Sequence, residues 1–245
     1  MKQYELTLLI PILNDERSLP DTLRRIDEAL LSSDLKVEVV FVDDGSTDAS
    51  FEVLRSYCKW KDYVHIIKLA KNFGLHTALC AGFEHASSPI VATMEGHPEH
   101  NVSDIFRLYS LMGSNVDIVF ARRFNRRDAW WRFLASRIIN SLLKFICGIK
   151  VHDINCLLKV WRREAGLLTF ADPSYAHFFA SLCSMQLIEI DVDFSLSRQA
   201  RSSFSFGRLF YIAVELLKTA AMLRLQGMPL PSQQRKTKYE IAVIL

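Results

Sequence analysis

The apolar positions of this chain fall into short runs whose period changes from one segment to the next. Leu6–Ile10 is continuously apolar, the pattern of a strand buried on both faces, and Pro11 is read as its stop. Leu19, Leu23, Ile26 and Leu30 then recur at helical spacing and predict a helix over Leu19–Leu31. The alternation continues with strands over Val37–Val42, Val64–Leu69, Pro89–Met94 and Val116–Ala121. Between them lie helical patterns over Asp48–Tyr57, Leu75–Ala86 and Asp104–Met112. Strands buried on both faces and separated by helices imply an α/β fold with a mainly parallel sheet.

The second half is less regular. Ala129–Cys147 is long and apolar on one side, with a basic start. Leu187–Phe194 alternates like a half-buried strand, and Arg198–Arg208 is rich in Ser and Arg. Leu209–Leu225 reads as an apolar helix, and Gly227–Lys238 as a linker or tail. There is no internal repeat.

In a parallel sheet, ligands bind beyond the carboxyl ends of the strands, and polar residues gather there in this chain. Asn14-Asp15-Glu16 follows the first strand, and Asp43-Asp44-Gly45-Ser46-Thr47-Asp48 the second. Lys71-Asn72-Phe73-Gly74 follows the third, and Glu95 through His100 the fourth. Ser46 and Thr47 also suit a helix cap and Gly45 a turn. Four polar strand ends in succession nevertheless point to one shared crevice.

Composition narrows the picture. With 245 residues, half of them hydrophobic, the chain can bury a sizeable core. A net charge of +3 supplies no general pull toward nucleic acid. The five cysteines are widely spaced and form no CxxC pair, as expected of free thiols in a reducing cytoplasm. Met1–Glu5 carries no signal-peptide pattern. No stretch reaches the roughly 20 uncharged apolar residues of a membrane span, since Glu215, Lys218 and Arg224 interrupt Leu209–Leu225. A soluble or peripheral protein is expected.

The acidic residues suggest chemistry. Asp43 and Asp44 are acceptors suited to a base N–H or a ribose hydroxyl. No GxGxxG or Walker lysine loop is present, which turns attention to nucleotides held by carboxylates and a divalent ion. Glu95, His97 and Glu99 are potential metal ligands at alternate positions, equally readable as a polar surface turn around Pro98.

Four segments carry a resemblance to a known family: LLIPILNDERSLPDTL, VVFVDDGSTDAS, KNFGLHTALCAGFEHA and IVATMEGHPEHNVSDI, in that order. Together they resemble the family 2 inverting glycosyltransferases of the GT-A fold, and most of all the polyprenyl- or dolichyl-phosphate sugar transferases. The resemblance runs from about Leu6 to Leu209. It implies transfer of a sugar from a nucleotide-diphosphate sugar to a polyprenyl-phosphate lipid with inversion, in cell-envelope polysaccharide assembly. By that likeness Pro11, Asn14, Glu16, Asp43, Asp44, Asn72, Gly74 and Glu95 line the nucleotide-sugar pocket. The acceptor phosphate falls to Arg122, Arg132, Ser136, Arg198 and Ser203, and the arginine forks match phosphate geometry. Arg126 and Arg127 read more simply as a solvated basic loop. Asp153 matches the family's later aspartate, although Cys156 and Leu157 depart from the family's usual residues nearby.

The departure with the largest consequence is in the metal motif, where Glu95, His97 and Glu99 replace the family's D-x-D and its following ligand. Carboxylates suit Mg²⁺ or Mn²⁺, and an imidazole favours softer metals. Three outcomes stay open: a divalent site with changed ligands, a metal-independent transferase, or a domain without catalysis. The nucleotide and acceptor residues, which match the family's, favour retained transfer. A phosphate acceptor needs no strong base; a glycan hydroxyl, as in O-antigen assembly, would need one, with Asp153 or His152 as candidates. A non-catalytic nucleotide-sugar-binding or scaffold subunit is the reading from another class.

Trp130 and Trp131 beside Arg126, Arg127 and Arg132 combine interfacial aromatics with basic side chains. Phe204, Phe206 and Leu209–Leu225 offer a second contact, read equally as core or oligomer packing. The expected location is the cytoplasmic membrane face, with a membrane partner or self-association left open. The expected organisation is a GT-A domain over 1–206, with a nucleotide-sugar half (1–121) and an acceptor half (122–206), followed by an amphipathic helix and tail over 207–245.

Overall fold

The computed structural model describes residues 3–96, 101–124, 149, 151–172, 174–193 and 239–245. The chain begins as the alternation predicts: β1 (Leu6–Ile12), α1 (Leu19–Leu31), β2 (Val37–Asp43), α2 (Ser50–Cys58), β3 (Val64–Leu69), α3 (Leu75–His85) and β4 (Ile90–Thr93). α4 (Asp104–Tyr109) and β5 (Ile118–Phe124) follow. Later come β6 (Lys159–Arg162), α5 (Arg163–Phe170), α6 (Tyr175–Leu182), β7 (Leu187–Asp193) and β8 (Ile241–Ile244).

The eight described strands form one sheet in the order β7-β5-β6-β4-β1-β2-β3-β8. β1 is parallel to both β2 and β4, β2 to β3, and β5 to β7. β6 lies antiparallel between β4 and β5, and β8 antiparallel on the edge of β3. The parallel strands point opposite side chains into opposite layers. Leu8, Ile10, Val39 and Phe41 pack with α1, α2 and α4, whereas Leu9, Val40 and Val42 pack with α3. On that second side, Phe83 of α3 stacks on Phe170 of α5 at 5.5 Å, and Trp161 of β6 meets Phe170 edge-on at 5.4 Å. Gly166 lets the two helices approach: a Cβ there would stand 2.1 Å from the Phe83 ring.

Three expectations need correction. Pro11 does not end β1, which continues through it to Ile12, with Pro11 opposite Val42. The β4 ladder stops at Leu9, so the missing proline N–H breaks no strand bond. α2 starts two residues later than the pattern suggests, because Asp48 uses its carboxylate to turn the chain and accepts from Ser50 N. Finally, the apolar run near the C-terminus, placed in a tail, is an edge strand of the main sheet.

Candidate functional site

The loops at the carboxyl ends of β1 and β2 are laced together. Asn14, at a φ of 56°, donates its N–H to Ser46 Oγ (3.0 Å) and accepts from Thr47 N through Oδ1 (2.8 Å). Glu16 and the start of α2 exchange bonds: Glu16 N donates to Asp48 Oδ2 (3.2 Å), and Ala49 N to Glu16 Oε2 (3.1 Å). Asp15 N donates to Ser50 Oγ (2.8 Å). Asn14 and Glu16 thus shape the rim of the crevice through their polar groups.

Asp43 and Asp44 divide the next task between them. Asp43 is wholly buried; Oδ1 accepts from Ser46 N (2.8 Å), while Oδ2 has no hydrogen-bond partner and lies 3.9 Å from Lys68 Nζ. Asp44 accepts from Phe73 N (2.8 Å) and Gly74 N (2.9 Å), one on each carboxylate oxygen. Burial raises its carboxyl above the ordinary aspartate value, the two N–H bonds oppose that rise, and neighbouring Asp43 adds to it. Gly74, at a φ of 93°, is the residue before α3, and Asn72 Oδ1 also accepts from its N–H (3.0 Å). Gly45 is held against the same loop: at a φ of 74°, its added Cβ would stand 2.3 Å from the Lys71 carbonyl carbon. The ends of β1, β2 and β3 therefore form one hydrogen-bonded rim.

The end of β4 joins it from the other side. Thr22 Oγ1 of α1 donates to the Gly96 carbonyl (2.7 Å), and a Cβ on Gly96 would stand 2.9 Å from Asp15 Oδ2 and 3.4 Å from the Pro11 carbonyl. Glu95 is half-buried and accepts from Leu157 N through Oε1 (3.4 Å). His97 and Glu99 lie outside the described residues, as do Arg132, Ser136, Arg198 and Ser203. So do Arg126, Arg127, Trp130, Trp131, Phe204, Phe206 and Leu209–Leu225. Among the described residues, no three His, Cys, Asp or Glu side chains are grouped to hold a metal ion. Nor is any described helix long and apolar enough to cross a membrane.

β5 sends its two arginines to opposite faces. Arg122 pairs with Asp191 across the β5–β7 ladder, through Nε and through Nη2 to Oδ2 (2.7 Å). Arg123 turns the other way and grips Asp153, with Nε at 2.6 Å and Nη2 at 2.8 Å. That pair raises the Arg123 guanidinium above its ordinary value against a burial that works to lower it. Glu189 holds the chain just ahead of this pair, accepting from His152 N (2.7 Å), Asp153 N (2.9 Å) and the His152 ring (2.7 Å). Beneath lies Lys159, whose ammonium donates to the Cys156 carbonyl. Burial, reinforced by Glu95 and Asp153, pushes the Cys156 thiol up to about 12, which leaves it protonated and unreactive at neutral pH.

Sequence reasoning missed Arg123, Lys159 and Glu189. The first was within reach: in a strand only one of two adjacent arginines can face a given side. Lys159 had no clear pattern, since β6 is a four-residue strand with a cation at each end. Glu189 sits in a strand that was read, β7, but its partners His152 and Asp153 lie more than 35 positions away.

Comparison with known proteins places the chain in context. The model of the family described as Glycosyl transferase family 2 matches residues 7–168. An undecaprenyl-phosphate 4-deoxy-4-formamido-L-arabinose transferase from Proteus mirabilis is 32% identical over 230 residues, covering 91% of this chain and 71% of that protein. A protein of the same name from Pseudomonas paraeruginosa is 33% identical over 235 residues, covering 92% and 69%. Among solved structures, glucosyl-3-phosphoglycerate synthase from Mycobacterium tuberculosis, in complex with Mn²⁺, UDP-glucose and phosphoglyceric acid, superposes with a TM-score of 0.65 at 14% identity, covering 89% of this chain and 80% of that one. A mannosyltransferase from Pyrobaculum calidifontis, with GDP-mannose and Mn²⁺, gives a TM-score of 0.60 at 16% identity, covering 92% and 71%. At such identities the likeness is one of fold: a GT-A sheet with its flanking helices.

Proposed function

The chain belongs to glycosyl transferase family 2, and from that premise we propose that it moves a sugar from a nucleotide-diphosphate sugar to a polyprenyl phosphate, with inversion. The relatives, named for undecaprenyl phosphate, support the acceptor, and they align over about nine-tenths of this chain. The laced rim at the ends of β1, β2 and β3 supports the donor site, with Asp43, Asp44 and Asn72 beside the nucleotide.

One observation favours a phosphate acceptor over a glycan hydroxyl. A hydroxyl needs a base, and of the two expected candidates, Asp153 and His152, the Asp153 carboxylate is occupied, both its oxygens accepting from Arg123. A phosphate is already ionised near neutral pH and needs only to be placed. Arg132, Ser136, Arg198 and Ser203 would place it, with Arg122 at the rim of β5.

The Mn²⁺ complexes of the structural neighbours raise the question of a metal here. Glu95 fits: its half-buried carboxylate gives one oxygen to the Leu157 N–H at a long 3.4 Å, leaving acceptor capacity on the carboxylate. His97 and Glu99 would complete a mixed carboxylate–imidazole set, which suits Mn²⁺ better than Mg²⁺. When bound, the ion would offset the charge of the departing diphosphate. The lipid acceptor implies contact with the cytoplasmic face of a membrane, through Trp130, Trp131 and their neighbouring arginines.

The test is incubation with undecaprenyl phosphate and a panel of nucleotide-diphosphate sugars, including that of 4-deoxy-4-formamido-L-arabinose, under Mg²⁺, Mn²⁺ or chelator. A lipid-linked sugar detected by mass spectrometry is the expected product. Donor binding without turnover under every metal condition would refute the reading in favour of a binding subunit.

A further inference from the structure

β6 threads between the two strands that deliver Glu95 and Arg123 to the crevice. Its first residue, Lys159, stands opposite Thr93 of β4 on one side and Phe120 of β5 on the other. The lysine is only 4% exposed, with its ammonium on the Cys156 carbonyl and 5.2 Å from the Phe120 ring centroid. The next residue of that loop is fixed from two more directions. Leu157 N donates to Glu95 Oε1 (3.4 Å), and its carbonyl accepts from Thr93 Oγ1 (2.6 Å), which itself accepts from Trp161 Nε1 (3.1 Å). Lys159, Thr93 and Glu95 thus hold three consecutive polar groups of the Cys156–Leu157 segment.

Packing alone does not explain an ammonium here. Taking a charge out of water is costly, and an apolar side chain of similar length often serves stability as well or better. The strand ladder of β6 is made by backbone groups and is indifferent to this side chain. What the ammonium adds is a donor to the Cys156 carbonyl and a positive charge within the field of Glu95 and Asp153, alongside that of Arg123. Burial lowers the basicity of Lys159, and those two carboxylates work against that effect.

We propose that Lys159 is a positioning residue for sugar transfer: it fixes the Cys156–Leu157 segment and, through the Leu157 N–H, aims the Glu95 carboxylate into the nucleotide-sugar crevice. This rests on the transferase reading above. Lys159 touches no substrate; it acts through the loop.

The experiment compares the full chain with Lys159→Met and Lys159→Arg. Lys159→Met is expected to melt within about 2 °C of the parent or higher. Its kcat is expected to fall about 100-fold, the scale of a displaced positioning contact, while the donor KM moves less than about threefold. Amide exchange over residues 153–158 should quicken about tenfold. Lys159→Arg, which keeps the donor and charge, should recover about tenfold of the lost kcat. An unchanged kcat in Lys159→Met overturns the proposal. So does a loss that only tracks a lowered melting temperature, which would make Lys159 a fold residue. If the parent chain transfers no sugar from any donor, the transferase reading fails by itself. Exchange then judges the loop: an unaltered 153–158 segment in Lys159→Met overturns the proposal.

Discussion

Asp153 holds Arg123 in a two-pronged pair with side chains only 11% and 12% exposed, and the backbone N–H of Arg123 donates to the same carboxylate (3.2 Å). A loop residue and a strand residue are thereby locked together beside Glu95. A buried pair of this kind is more costly to break than it is valuable to possess, because removing one partner strands the other charge. Asp153→Asn is expected to lower stability by about 3 kcal/mol in urea unfolding. The double variant Asp153→Leu with Arg123→Met should regain most of that loss. Equal destabilisation in the double variant would contradict this account of the pair.

Glu189 anchors the same loop from β7 by accepting two consecutive backbone N–H groups. Glu189→Ala leaves them without their acceptor and is expected to cost about 2 kcal/mol. Glu189→Gln keeps one carbonyl oxygen for the two N–H groups and should cost less than half as much. Parallel denaturation curves for the two variants check the ordering.

Gly45 occupies a left-handed conformation against the backbone of Lys71 and Asn72. Gly45→Ala adds strain of about 1 kcal/mol from the positive φ alone, and its Cβ must displace the loop that Asp44 holds. The expected result is a stability loss above that figure together with weaker nucleotide binding. Calorimetric titration with UDP and GDP would measure the second effect, and wild-type affinity for both would count against a shared rim.

The Arg122–Asp191 pair gives a pH dependence whose sign can be worked out. The guanidinium holds the Asp191 carboxyl below its ordinary value. A carboxyl depressed by folding contributes stability above its unfolded pKa of about 3.9, and that contribution is lost as pH falls through the lower folded value. Both side chains are more than a third exposed, so solvent screening keeps the effect below about 1 kcal/mol. Asp191→Asn should therefore lower stability by that small amount above about pH 4, and the difference from the parent should vanish as pH falls below it.

Much of the fold was legible because its elements have strong periods. α1 was read to the residue from Leu19, Leu23, Ile26 and Leu30, and β3 likewise from a purely local pattern. β6 escaped because Lys159–Arg162 holds only two apolar residues between cations, and β8 because Ile241–Ile244 lies apart from the strand–helix alternation that marked the earlier strands. Their positions come from partners far along the chain: Thr93 and Phe120 for Lys159, and Ile67 for Ile244.

The candidate site divides along the same line. By itself the sequence determined that acidic and amide groups collect at consecutive strand ends, because a parallel sheet sends all of those ends to one side. It also carried the family likeness, through segments that are contiguous along the chain. Only the tertiary structure decided how those groups are used. Asp44 spends both oxygens on the loop before α3, Asn14 and Glu16 lace the rim, and Arg123 rather than Arg122 meets Asp153. Such pairings join residues about 30 positions apart. They are set by which face of a strand a side chain takes and by which loops the sheet order brings together, neither of which is written in any one segment.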